Sequence, residues 1–222
     1  MEQQFLEKLM RTPLFRGMSA EEVAPVLTAL DAQRKRYDKG AVILHAGERA
    51  SAIALMLSGS VFIENDDCWG NKSILDRVGT GQVFAEAYAC APEEPLLVSA
   101  VAAEDAEILF LKAARLLQSP AQGSMERLMR NLLTISAYKN LHLSRRMFHT
   151  APKSIRERLQ SYLSDQATRL GTQEFEISFN RQQLADYLNV DRSALSNELS
   201  KMQKEGLLTV RKNHFHLLAD SE

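Results

Sequence analysis

The sequence predicts an α+β protein in three parts: an N-terminal antiparallel barrel or sandwich with flanking helices, a long helix, and a C-terminal winged helix-turn-helix. Three observations carry this reading. From about Arg34 to Leu111, short strand-like segments alternate with turn residues at close spacing. From Gly123 to His149, apolar residues recur at helical intervals without a breaker. Near the C-terminus, two short capped helices share a tight turn and precede a hairpin pattern.

The chain has 222 residues, enough for one large or two ordinary domains. Hydrophobic residues make up 45% and charged residues 25%, the balance of a globular protein with a proper core. No apolar run approaches the roughly 18 residues of a membrane span. The opening MEQQFLEKLM lacks the basic and apolar segments of a secretory leader. A cytoplasmic protein without a membrane partner is expected. Cys68 and Cys90 show no CxxC or Cys/His spacing, so reduced thiols are expected rather than a disulfide or a metal site. The net charge of −1 hides an asymmetry. Residues 1–119 hold 12 Lys and Arg against 17 Asp and Glu, whereas residues 139–216 hold 13 against 8. A basic C-terminal third suits a polyanion partner.

The elements follow in order. Ser19-Ala20-Glu21-Glu22 has capping-box spacing, and Val23, Val26, Leu27 and Leu30 recur helically after it. Ala41–His45, Ala52–Leu57 and Ser60–Glu64 read as strands, divided by turns such as Asp38-Lys39-Gly40, Ser58-Gly59-Ser60 and Asp66-Asp67. Leu96–Ala102 and Ala106–Leu111 form a further strand-like pair. The long helix opens with Ser124 as its expected N-cap. Its apolar residues, from Met125 to Leu143, cover more than one face, so it must be buried on two sides. A second copy of the same helix is one solution, since most soluble oligomers are two-fold dimers. Burial within a single domain is the other. Pro152 then disfavours helix in the residue before it and suits the first turn of a new one, which places a hinge at 149–152. Ile155, Leu159, Tyr162 and Leu163 share a face of the next helix, which Gly171 ends. Phe175, Ile177 and Phe179 alternate as a short strand.

The stretch FNRQQLADYLNVDRSALSNELSKMQKEG (179–206) carries the chemistry. Asn180 and Gln183 form a capping box, Asn189-Val190 turns, and Asp191 caps the second helix. Ala194, Leu195, Leu199 and Met202 make its buried stripe. Arg192, Ser193, Ser196, Asn197 and Ser200 lie opposite as one continuous stripe. A solvated face would favour Lys and Glu; Ser and Asn each forfeit about half a kcal/mol of helix propensity. Short polar groups let a helix sit deep in a groove while exchanging hydrogen bonds, which is what the DNA major groove requires. A hairpin at Leu207–Val210 and His214–Leu218, turning near Lys212-Asn213, makes the wing, where Arg211 and Lys212 would meet the DNA backbone.

These segments, with PLFRGMSAEE (13–22), YDKGAVILHAGERA (37–50), LSGSV (57–61), GTGQVFAE (79–86) and SIRERLQSYL (154–163), give nearly the whole chain a resemblance to the Crp/Fnr family of bacterial transcription regulators. The resemblance implies a cyclic-nucleotide-binding-like β-roll (jelly-roll-like) over 1–120, a dimerisation helix over 121–149, and a winged helix-turn-helix over 150–222. It also implies a homodimer, a palindromic double-stranded DNA operator and contact with RNA polymerase. By that pattern Arg181 and Gln182 resemble backbone contacts, and Arg192, Ser193 and Asn197 occupy base-reading positions. Family members often have Glu where Ser193 stands and Arg where Asn197 stands.

Cyclic-nucleotide-binding members use a Gly-Glu pair for the ribose and an Arg-Ser pair for the phosphate. Here Ala85-Glu86 stands at the first pair and Leu96-Leu97 at the second. A buried phosphate without a charged partner typically costs several kcal/mol. Lys139-Asn140 replaces the usual small hydroxyl pair on the long helix. Binding of cyclic AMP or cyclic GMP is therefore not expected; Glu86 reads either as a surface or turn residue or, with Leu96, Leu97, Lys139 and Asn140, as part of a pocket for another effector. No cysteine precedes Cys68, so an iron–sulfur cluster is not expected. His45, His142 and His149 are nominal haem ligands, though a lone His is more often structural. Leu96, Leu97 and Val98 read as strand core or as lining for another, unidentified effector. No nucleophile elbow, metal cluster or phosphate loop points to an enzyme. The alternative to a DNA-binding regulator is a small-molecule sensor, of haem or another ligand, acting mainly through protein partners.

Overall fold

The computed structural model describes residues 3–66, 72–120 and 122–218. The chain divides into two compact units, Met1–Tyr138 and Lys139–Glu222.

The first unit begins with α1 (Gln3–Met10), a 3-10 turn at Pro13–Phe15 and α2 (Ala20–Ala29). The expected Ser19–Glu22 capping box closes at both bonds. Eight strands follow: β1 (Gln33–Tyr37), β2 (Val42–Leu44), β3 (Ala52–Ser58), β4 (Ser60–Asp66), β5 (Lys72–Gly79), β6 (Val83–Phe84), β7 (Ser99–Ala102) and β8 (Ala106–Lys112). Helices α3 (Glu86–Cys90) and α4 (Ala113–Gln118) lie between β6 and β7 and after β8. All pairing is antiparallel, in one sheet of order β1-β8-β3-β6 and another of order β2-β7-β4-β5. The α+β roll read from the sequence is the fold observed.

Strand β3 explains the layering. Its residues alternate in direction, and both faces are covered. Ala54 and Met56 join Val61, Val78, Phe84, Ala100 and Ile108 in the core of the roll. Ile53, Leu55 and Leu57 join a second core with Leu9, Phe15, Leu27 and Leu128 from the helices. This is why 52–57 is a continuous apolar run rather than an alternating one.

Three expectations are corrected. Leu96–Val98 is irregular, and β7 begins only at Ser99. Pro95 has no N–H for a ladder, and Leu96 exchanges its backbone bonds with Gly47 and Glu48 instead. The long helix, α5 (Gly123–Thr150), opens at Gly123, so Ser124 lies within its first turn rather than capping it. The alternation 175–179 yields only β9 (Glu174–Glu176). The partner strand, β11 (His214–Leu217), starts only at His214, so beyond Glu176 the pairing meets the wing turn, where Ile177 gives its N–H to the Asn213 carbonyl and accepts from the Asn213 side chain, both at 3.0 Å. Asp67 of the expected Asp66-Asp67 turn, and Cys68, lie outside the described residues.

The second unit holds the end of α5, then α6 (Ile155–Leu170), β9, α7 (Arg181–Leu188), α8 (Arg192–Lys204), β10 (Leu208–Arg211) and β11 (His214–Leu217). Helix α6 is closed by a Ser154–Glu157 capping box and by Gly171 in the left-handed conformation. Its small sheet has the order β10-β11-β9. Leu159, Tyr162 and Leu163 of α6, Leu184 and Leu188 of α7, Leu195, Leu199 and Met202 of α8, and Phe215 of the wing form one core.

Candidate nucleic-acid interface and the roll

Helices α7 and α8 meet as a helix-turn-helix because each end is chemically defined. Asn180 and Gln183 bond reciprocally at the start of α7. Asn189 takes the left-handed conformation at its end, with φ of 54°. Asp191 then caps α8, accepting from the backbone N–H groups of Ser193 at 2.8 Å and Ala194 at 3.0 Å. Leu195, Leu199 and Met202 turn inward, and Ala194 is half-buried beside them. Arg192, Ser193, Asn197 and Ser200 are exposed and Ser196 is half-buried, so the structure brings the predicted polar stripe together on one face.

The wing places the remaining predicted residues. Lys212 is exposed at the hairpin tip, with φ of 58°. The Arg181 guanidinium donates to the Lys212 carbonyl at 3.2 Å and lies 6.0 Å from the Phe215 ring centre. Arg181 thus ties α7 to the wing turn. Gln182 is exposed and donates to Asp186 at 2.8 Å.

Three arginines that the sequence reading did not single out hold this assembly. Arg156 of α6 bonds Glu198 of α8 at 2.6 Å and Glu205, the residue ending α8, at 2.7 and 2.9 Å. Arg146 of α5 donates to the carbonyls of Tyr187 and Asp186 at 3.2 and 3.1 Å. Arg158 donates to those of Pro152, Leu188 and Asn189 at 2.8, 3.2 and 3.0 Å. Four carbonyls at the end of α7, where the helix dipole is negative, are thereby met by two cations. The partners are 30 or more residues apart for all but Pro152, so spacing in the sequence carries no signal for them.

His149 is 1% exposed. Its Nδ1 lies 3.0 Å from the Tyr187 hydroxyl and its ring stands edge-on to Tyr162 at 5.5 Å. Its Nε2 is 3.7 Å from Asp165. Burial pushes its pKa down from the ordinary 6.5, against the pull of Asp165. The imidazole packs on Tyr162 and Tyr187, which in turn meet Phe179.

In the roll, Glu86 is 6% exposed and begins α3, which corrects its reading as a surface or turn residue. Ala85 before it holds φ of 59°, a left-handed conformation. Leu96 is buried, but Leu97 is 74% exposed on an irregular segment, so the pair is not strand core. Lys139, half-buried, and Asn140, exposed, belong to α5 in the other unit. Burial raises the pKa of the half-buried Cys90 thiol, with Glu86 adding to the effect. Among the described residues no three His, Cys, Asp or Glu side chains gather as a metal site. No helix there is long and apolar enough to cross a membrane.

An antiparallel roll followed by a long helix and a winged helix-turn-helix defines a sensor-type domain joined to a DNA-binding-type domain. Residues 34–121 match the family described as the cyclic nucleotide-binding domain, and residues 157–220 match the Crp-like helix-turn-helix domain. The chain belongs to the Crp/Fnr family of bacterial transcription regulators. It is 35% identical over 100 residues to the Cyclic AMP receptor protein of Thermus thermophilus, a match spanning 45% of each chain. It is 24% identical over 181 residues to the cAMP-activated global transcriptional regulator CRP of Haemophilus influenzae, spanning 78% of each. The crystal structure of the Thermus thermophilus Catabolite Activator Protein is similar with a TM-score of 0.52 and 25% identity, covering 93% of this chain and 94% of that one.

Proposed function

We propose that the chain is a homodimeric, sequence-specific DNA-binding transcription regulator and not an enzyme. The observation that carries this is the exposed face of α8, built from Arg192, Ser193, Asn197 and Ser200 around the half-buried Ser196. Two such helices in a dimer would enter successive major grooves about 34–36 Å apart on a palindromic site. Arg192 would donate to a guanine edge or a phosphate, Asn197 to an adenine edge. Gln182 and Lys212 would approach the backbone. Arg181 would act by fixing the wing as much as by contact. Contact with RNA polymerase rests on the family alone.

The dimer reading is supported by α5. Leu133, Tyr138, Leu141, Leu143, Met147 and Phe148 are all large, apolar or aromatic, and exposed on this one helix. A second copy of α5 would cover them.

The effector of this chain, on our reading, is neither cyclic AMP nor cyclic GMP. Leu96 and Leu97 stand where the phosphate partners of cyclic-nucleotide-binding members would be, and no Lys or Arg occurs between Arg77 and Lys112. A cyclic phosphate placed there would meet no charged partner from that segment. A ligand accepted at Glu86, Leu96 and Leu97 would be of another class.

Footprinting on duplexes selected from random sequence tests the DNA reading. A protected palindrome, with affinity falling steeply as salt rises, is the expected result. Sequence-independent binding, or none, would sink it in favour of a sensor working through protein partners. Titration calorimetry with cyclic AMP and cyclic GMP tests the effector reading, and saturable micromolar binding of either would overturn it.

A further inference from the structure

The polar face of α8 carries a donor and acceptor pattern fixed by bonds within the helix itself. Ser193 donates its hydroxyl proton to Oδ1 of Asp191. That oxygen also accepts the Ser193 and Ala194 N–H groups. The Ser193 hydroxyl and these N–H groups hold the Asp191 carboxyl below the usual carboxylate range. Ser193 therefore makes a charge-assisted bond, which is stronger than a neutral one. Ser196 donates to the Arg192 carbonyl at 2.9 Å, and Ser200 to the Ser196 carbonyl at 2.9 Å.

A serine hydroxyl has one proton and two lone pairs. Once the proton is given to the helix, only acceptor capacity points outward. In the major groove an acceptor is satisfied by an exocyclic amino group, N4 of cytosine or N6 of adenine. Guanine offers N7 and O6, and thymine offers O4, all of them acceptors. Two acceptors facing each other leave both unpaired.

Resting on the DNA-binding reading above, we propose that Ser193 and Ser196 are specificity-determining residues that read exocyclic amino groups and reject guanine and thymine edges. Arg192, which only donates, and Asn197, which does both, complete the face. The pattern differs from that of a freely rotating hydroxyl, which would accept any of the four bases.

The test uses the full-length protein in two stages. Selection from randomised duplexes is run with the wild type, Ser193→Ala and Ser196→Ala. In the selected site, the amino-bearing base facing each serine is then replaced by an analogue lacking the amino group, purine for adenine or pyrimidin-2-one for cytosine. The wild type should lose about three- to tenfold in affinity, the worth of one hydrogen bond. The matching alanine variant should start weaker by a similar factor and lose nothing further. Ser193→Thr, which keeps the hydroxyl, should stay sensitive to the analogue and covers the case of an alanine variant that fails to fold. If the alanine variants select the same bases as the wild type, or the analogues weaken them equally, this inference fails while the DNA-binding reading stands. If the wild type itself selects no sequence, both fall.

Discussion

Nε of Arg156 lies 2.6 Å from Oε1 of Glu198, and the same guanidinium grips Glu205 at the end of the helix with its other two nitrogens. Glu198 sits one residue after Asn197 on α8 and turns to α6 instead of to solvent. Two points on α8, separated by nearly two turns, are thus fixed to one planar group, which sets both its rotation and its slide.

Arg156→Ala should therefore weaken operator binding more than it weakens folding. The fork that Arg presents cannot be matched by a lysine ammonium, so Arg156→Lys should recover only part of the loss. Operator affinity measured beside thermal unfolding separates the two effects. Equal affinity for wild type and Arg156→Ala would show that α8 is held by its core alone.

Ala85 pays for its left-handed φ of 59°. An L-residue there costs about 1–2 kcal/mol that glycine avoids, partly offset by the greater backbone entropy of glycine when unfolded. Ala85→Gly should raise stability by about 1 kcal/mol in denaturant titration.

The opposite holds at Gly59. It has φ of 76°, and a Cβ there would come 2.4 Å from the Asp105 carbonyl oxygen. Gly59→Ala should destabilise the roll by about 1–3 kcal/mol, through strain and displaced backbone. Circular dichroism melts of the variant give the check.

His149 makes stability depend on pH. Its folded pKa lies below the 6.5 of an unperturbed imidazole, burial being the main cause; Asp165 opposes the shift while Arg145 and Arg169 reinforce it. Between the two values the unfolded chain binds more protons. Stability is therefore full above pH 6.5 and is lost as pH falls from 6.5 through the folded value. His149→Gln should flatten this decline in unfolding midpoints measured between pH 7.5 and 5.5, even if it lowers the midpoint overall.

On α5, Leu143→Glu or Met147→Glu should shift the protein from dimer to monomer in sedimentation, with the melting of the roll unchanged. These side chains are 64% and 69% exposed, so a charge there costs the single chain little.

Capping boxes at Ser19 and Asn180 and the cap at Asp191 were legible because each is a bond between residues a few positions apart. The wing turn at Lys212-Asn213 was legible for the same reason. Strand β1, with the sequence QRKRY, was not, because its four exposed leading residues give no apolar alternation; β8 supplies the pairing. The end of β9 was missed because it is set by where its partner β11 leaves the wing turn, 37 residues away in the chain. Within the site, the polar stripe of α8 followed from helical spacing. Where its hydroxyl protons go did not, since spacing says nothing of which oxygen a rotor chooses.

Arg158 leaves a mechanical consequence at the Ala151–Ser154 break. One guanidinium is shared by Pro152, on the break, and by Leu188 and Asn189, at the corner between α7 and α8. One planar group therefore bridges the break and the corner, and Pro152 cannot shift without straining the bonds that hold the α7–α8 turn. The break is tied to the helix pair rather than merely preceding it.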